Sequence, residues 1–256
     1  MTVTVTLEVQ TDDGTEPLKL DIGRTYCLGF TIKDTAKMDR HMDEVEKIGV
    51  RRPHTDQPPM IFPMASWSTV FGSEAEVQYR RTNGEVEIVT IDDGGELYVT
   101  VGSDHTDRKL EMVSIPWSKQ VAPNVVAPVV WRWDDVKDHW DQVTMECWIS
   151  DGEGGERRLY QRAGVDEFWS PLEMREGIRG RVAEDKGALL FLSGTVVTVD
   201  QKFHYDKEWT LIMHDPVLDR TIEHTYQVVV LADEISGTPG VDDMSGLDDL
   251  TGRHHV

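Results

Sequence analysis

Apolar and polar positions alternate with a period of two along much of this chain. The runs are short and closed by Gly, Asp, Asn or Pro, the pattern of half-buried strands. Thr2 to Val9 alternates Thr with Val or Leu up to the turn Thr11-Asp12-Asp13-Gly14, and Leu18 to Ile22 returns as its hairpin partner. Thr25 to Thr31 predicts a buried strand with Gly29 near its end, where a backbone can approach a ligand closely. Residues 84–89 and 97–101 are β-branched runs on either side of Asp92-Asp93-Gly94-Gly95, and predict a second hairpin. A third joins Val143 to Ile149 with 158–161 across a glycine-rich turn. Glu76 to Arg80, Val125 to Trp133, Ala188 to Val199, Trp209 to Met213 and Thr221 to Leu231 add further strands.

The period lengthens to helical spacing in two places. Met38, Met42, Val45 and Ile48 recur between a capping Asp34 or Thr35 and a terminating Gly49, which predicts a helix over 34–47. Pro171 to Val182 is the second, with proline near its first turn. Arg51 to Pro63 is proline-rich and reads as extended loop. From Ser236 to Val256 the chain is Gly, Asp, Ser and Thr with few apolar residues, an acidic flexible tail. No internal repeat and no linker interrupts 1–235, so one α+β, mainly β domain is expected there.

Charge narrows the partners. The 256 residues carry 47 acidic against 26 basic side chains, a net charge of -21. That argues against nucleic acid and anionic membranes. It suits a halophilic protein whose surface repulsion is screened by salt, or simply a soluble acidic one. Cys27 and Cys147 both sit in apolar runs and read as buried free thiols of a reducing cytoplasm. No apolar run approaches the ~20 residues of a membrane span, and the N-terminus lacks a signal peptide's basic region. A cytoplasmic location is expected.

Three sets of residues can carry chemistry. Glu85 and Glu87 are two apart on a strand, so their carboxylates share a face while Val86 and Ile88 turn away. Carboxylates held that close repel unless a cation or a shared proton lies between them. With Asp104 at the end of the next strand as a third oxygen donor, the set suits Mg2+ or Mn2+, with Ca2+ able to substitute in vitro. The same Glu-x-Glu also occurs on solvated strand faces. His41 and Glu44 are helical neighbours, which suits a general base oriented by a carboxylate or a surface ion pair. Lys119 lies between Trp117 and Val121-Ala122-Pro123, a setting for an ammonium facing an anionic substrate or for an ordinary exposed lysine. Trp131, Trp133, Trp140 and Trp148 read as core or interface aromatics.

Taken in order, these features resemble the fumarylacetoacetate hydrolase superfamily over roughly residues 25–230. The series is Leu28-Gly29-Phe30, the His41 helix, Phe62-Pro63, Glu85-Val86-Glu87, Ser103-Asp104-His105-Thr106-Asp107-Arg108, Lys119, Pro123 or Pro128, and Ser193-Gly194-Thr195. The resemblance implies a rolled mixed β-sheet with a few peripheral helices, usually in a homodimer. It also implies one divalent ion on Glu85, Glu87 and Asp104, and Lys119 at the substrate oxygens. His41 and Glu44 become a water-activating dyad, with Ser103, Arg108 and Thr195 at the substrate. The chain departs from the family pattern in its longer Phe30-to-His41 spacing and in Val196 following Thr195 where proline is usual.

The activity implied is metal-dependent hydrolysis of a carbon–carbon bond in an acylpyruvate-like 2-oxo acid. Dehydration of a 2-oxo-3-deoxy acid, decarboxylation and isomerisation share the same cradle. A non-catalytic β-rich binding or assembly protein is the alternative of another class.

Overall fold

Nine-residue Val3–Thr11 turns back at Gly14 into one unbroken strand, Gly14–Gly29, pairing antiparallel from Val3↔Ile22 to Thr11↔Gly14. The computed structural model of the chain describes residues 2–47, 49–152, 154–234 and 236, without the side chains of Glu44 and Val45. The expected 236–256 tail lies outside the described residues from 237 onward. The far end of Gly14–Gly29 pairs in parallel with Ala188–Leu192, which pairs antiparallel with Val86–Asp92 and so leads to Leu97–Asp104. Leu97–Asp104 joins Val129–Arg132, which returns to Val3–Thr11, and the ring closes with six strands. The chain is thus mainly β, and the sheet closes on itself.

Alternation along these strands builds two cores. Leu7, Ile22, Val89, Tyr98, Val130 and Leu190, one from each of the six strands, meet in a single cluster that is the barrel's interior. The opposite faces, among them Val86, Ile88, Val101, Trp131 and Phe191, pack with Met145, Cys147, Tyr160, Trp209 and Tyr226 in a second core. Those last five come from a five-stranded sheet ordered Arg158–Gly164, Thr144–Ser150, Glu208–Asp215, Arg220–Val230, Glu74–Val77. Both cysteines are buried and free.

Helices lie outside the sheets. Thr35–Lys47 matches the expected helix, and Pro171–Ile178 starts from a capping box made by Ser170 and Glu173. Two short helices were not legible as such: Arg108–Glu111, capped by Asp107, and Ile115–Gln120, capped by Ser114. Each is too short for a helical period to register, and the cap residues are their sequence signal. The 125–133 run splits into Asn124–Val126 and Val129–Arg132, interrupted before Pro128, which lacks an N–H for the ladder. The proline-rich segment contains a strand, Met60–Met64, paired to the end of Gly14–Gly29. The apolar 188–199 run is a strand only to Leu192; beyond it the backbone is irregular and carries Ser193, Gly194 and Thr195. No described helix is long and apolar enough to cross a membrane.

Candidate metal centre

Two paired barrel strands, the start of Val86–Asp92 and the end of Leu97–Asp104, meet at one mouth and bring three carboxylates there. Glu87 shares its strand face with Val89 and Ile91, so it points into the barrel. Asp104 closes Leu97–Asp104 on the interior face, two residues beyond Gly102. Glu85 immediately precedes its strand, and its N–H donates to Ser103 Oγ at 3.1 Å. Gly84 permits that turn, because a Cβ there would meet Tyr226 Oη at 2.5 Å and Ser103 Oγ at 2.6 Å. One oxygen from each of Glu85, Glu87 and Asp104 lies within 4.8 Å of the other two, and all three residues are buried.

Cations surround but do not fill this group. Arg108 donates to Glu85 Oε1 at 2.6 Å, to Glu111 Oε2 at 2.7 Å and to Asn83 Oδ1 at 2.5 Å, while its guanidinium stacks 4.3 Å from the Phe203 ring centroid. Lys119 Nζ donates to Asp104 Oδ2 and, at 3.4 Å, to Glu85 Oε2. Burial opposes ionisation of Glu85, yet Arg108 and Lys119 outweigh it and hold the carboxyl down at about 2. Glu87 goes the other way, pushed well above the usual carboxylate range by burial and by Asp104 beside it. Burial raises Asp104 as well, against the pull of Lys119. Lys119 is in turn held charged: its carboxylate neighbours overcome the burial that would discharge it.

The donor set fits a hard divalent cation on two observations of the structure. Asp104 Oδ1 is buried and has no hydrogen-bond partner, and Glu87 and Asp104 both sit in a site that disfavours their charge. A cation coordinated by oxygen would satisfy the first and relieve the second. Glu87 is oriented for it by Gly194, whose N–H donates to Oε2 at 2.9 Å. Gly194 has φ +86, and a Cβ there would lie 2.9 Å from Leu28 O, so only glycine fits.

A pocket opens over the cradle. His41, Glu85, Glu87, Lys119 and Thr195 all line it, so five of the expected site residues come together. His41 stands on the second turn of Thr35–Lys47; its expected partner Glu44 has a side chain outside the described residues. Lys119 is buried in Ile115–Gln120, while Trp117 of the same helix is exposed. Thr195 Oγ1 donates to Val86 O at 3.0 Å and accepts from Gln161 Nε2 at 2.9 Å, tying the loop to the cradle strand.

Two expected substrate residues stand elsewhere. Ser103 alternates with Asp104 and therefore faces the second sheet, where it accepts from Tyr226 Oη at 2.9 Å. Arg108 lies behind Glu85, its bonds spent on Glu85, Glu111 and Asn83.

Sequence reasoning missed the supports. Gln161 accepts from Val86 N–H at 3.0 Å, Asn83 donates to Tyr160 Oη at 2.8 Å, and Cys27 donates to Asn124 Oδ1 at 3.3 Å beneath the carboxylates. His105 accepts or donates to Thr82 and Tyr226; burial, with Arg108 nearby, drops it to about 3 and keeps it neutral.

A family model described as "Protein of unknown function (DUF2848)" matches residues 28–226. No curated protein sequence matches significantly. Among solved structures, 2-keto-3-deoxyarabinonate dehydratase superposes with TM-score 0.60 at 15% identity, over 84% of this chain and 77% of the other. The same dehydratase complexed with magnesium and 2,5-dioxopentanoate gives 0.57 at 13% identity, again over 84% and 77%. Cg1458 with inhibitor gives 0.57 at 14% identity, over 85% and 81%. At these identities the likeness is one of fold, and the fold is that of the fumarylacetoacetate hydrolase superfamily.

Proposed function

The chain belongs to the DUF2848 family, and from that premise we propose that it is a divalent-metal-dependent enzyme acting on 2-oxo acids, hydrolysing a carbon–carbon bond in an acylpyruvate-like substrate. The observation that carries this is the buried carboxylate triad with an unpartnered Asp104 Oδ1, opening on a pocket that also holds Lys119 and His41. The dehydratase of like fold, complexed with magnesium and 2,5-dioxopentanoate, supports a similar cradle here.

Glu85, Glu87 and Asp104 would hold Mg2+ or Mn2+, which supplies Lewis-acid polarisation of adjoining carboxylate and keto oxygens. The chain's own groups do the rest. Lys119 keeps its proton and directs an N–H toward a substrate oxygen on which negative charge grows. An imidazole nitrogen of His41 takes a proton from water as the water oxygen bonds to the distal carbonyl carbon. The bond from that carbon to the neighbouring methylene then breaks, and its electron pair passes to the 2-oxo acid enolate. Proton return to the methylene carbon gives one carboxylic acid and one 2-oxo acid, so atoms and charge balance.

The test is turnover. Chelator-stripped protein restored with Mg2+ or Mn2+ should consume acylpyruvates, and His41→Ala should stop this hydrolysis while sparing any oxaloacetate decarboxylation, which needs no activated water. Equal loss of both activities in His41→Ala would sink the division of roles. Absence of turnover of every acylpyruvate with either ion would sink the hydrolase reading.

A further inference from the structure

The pocket above the cradle has two unlike halves. Its charged lining residues are Glu85, Glu87, Glu111 and Lys119, with His41 as the titratable neighbour. Three of the four charged groups form one connected set, with Lys119 bonding Glu85 and Arg108 bridging Glu85 to Glu111, while Glu87 lies beside Glu85 and accepts from Gly194 N–H. Away from them the wall is apolar, made chiefly by Leu28, Phe30, Met38, Met42, Met60 and Phe62. Met38 and Met42 are one helical turn apart on Thr35–Lys47, so they present side by side, while Met60 and Phe62 alternate on Met60–Met64 and share its face. Phe30 is held at φ +63, a left-handed conformation uncommon outside glycine. Five of these six side chains are only half-buried, so their apolar surface faces the open pocket.

We infer that this site takes a 2-oxo acid whose tail is uncharged and apolar, an aliphatic or aromatic chain, in preference to a polyhydroxylated or dicarboxylic one. The inference rests on the metal-dependent 2-oxo acid reading and specifies its substrate class. A second carboxylate on the tail would meet no arginine and no lysine among the described lining residues except Lys119, which is already engaged by Asp104 and Glu85. Tail hydroxyls would leave water for thioether and ring surfaces that cannot replace their hydrogen bonds. An alkyl or aryl tail instead buries those surfaces, and three methionines can reshape around chains of different length.

Calorimetric binding to the Mg2+-loaded full chain tests this with probes that share one head group. Oxalate supplies chelating oxygens without a tail; pyruvate, 2-oxohexanoate, 2-oxooctanoate and phenylpyruvate extend it apolarly, and 2-oxoglutarate ends it in a carboxylate. Each buried methylene should tighten binding about threefold to fourfold, so 2-oxooctanoate should bind at least about 30-fold more tightly than pyruvate even with only about three of its additional methylenes buried. By the same argument 2-oxoglutarate should gain nothing over pyruvate, and Met42→Lys should reverse the order of 2-oxooctanoate and 2-oxoglutarate. Mg2+-dependent binding of oxalate and pyruvate with no gain from an apolar tail, or with 2-oxoglutarate the tightest, overturns the inference and leaves the metal-dependent reading standing. Failure of every probe, oxalate included, to bind the Mg2+-loaded protein overturns both.

Discussion

Arg108 and Arg52 each contact three acceptor residues, and they should differ severalfold in what they contribute to stability. Arg108 is buried; it bonds Glu85 at 2.6 Å, Glu111 at 2.7 Å and Asn83 at 2.5 Å. Arg52 lies at the surface, 2.9 Å from Asp39, 3.2 Å from Asp43 and 3.4 Å from Glu46. Replacing Arg108 by Met keeps much of the packing over Phe203 but leaves two buried carboxylates short of their cation. Breaking a buried pair in this way costs about 3–5 kcal/mol, a large part of the ~5–15 kcal/mol that holds a domain folded. Arg52→Met removes exposed pairs worth about 0.2–1 kcal/mol each at most, with solvent already screening them.

The pH dependence separates the two further. Glu85 is held at about 2, below the ordinary 4.5, so its contribution to stability is fully present above the ordinary value and fades as pH falls toward the lower one. Without Arg108 the burial that remains drives that carboxyl upward, and proton uptake then relieves the folded variant. Urea melts of wild type and both variants should therefore show a loss for Arg108→Met that is largest near about pH 8 and smaller near about pH 5. A loss below about 1 kcal/mol, equal at both pH values and matched by Arg52→Met, would refute the reasoning.

Metal affinity should itself depend on pH. Burial and the neighbouring carboxylate raise Glu87, and burial raises Asp104, so an ion must displace a proton; affinity should climb with pH, by up to about tenfold per unit for each proton released. Calorimetry in buffers of different ionisation enthalpy reads that proton directly, and pH-independent binding without proton release would contradict it. Gly194→Ala should cost about 1–3 kcal/mol of backbone strain and loosen Glu87, seen as a lowered melting midpoint together with weaker Mn2+ binding.

The sequence made the hairpin of Val86–Asp92 with Leu97–Asp104 legible because each strand is β-branched and bounded by turn residues, and from that hairpin the three carboxylates followed. The His41 helix was legible from methionine spacing. Ser103 was misjudged because motif order says nothing about which face of a strand a side chain takes, and the alternation that points Asp104 inward points Ser103 outward. Arg108 reads on paper as a substrate-binding cation; only the fold brings Asn83, Glu85 and Glu111 around it. Gln161 escaped notice for a different reason: the ladder slips between Cys147 and Trp148, so consecutive Tyr160 and Gln161 are both buried where strict alternation would expose one. The closing of the sheet depends on Val129–Arg132 pairing with Val3–Thr11, more than a hundred residues away, and leaves no local mark in the chain.

The central claim is that Glu85, Glu87 and Asp104 bind a divalent ion, and Mg2+ or Mn2+ titrated into chelator-stripped protein tests it most directly. Glu87→Gln is the informative partner, because Glu87 makes neither of the Arg108 and Lys119 ion pairs that Glu85 makes, and its loss leaves them in place. Saturable binding of one ion per chain in wild type, abolished in Glu87→Gln with the fold retained, is the result the account predicts. No saturable binding in wild type, or binding that Glu87→Gln leaves unchanged, would contradict it.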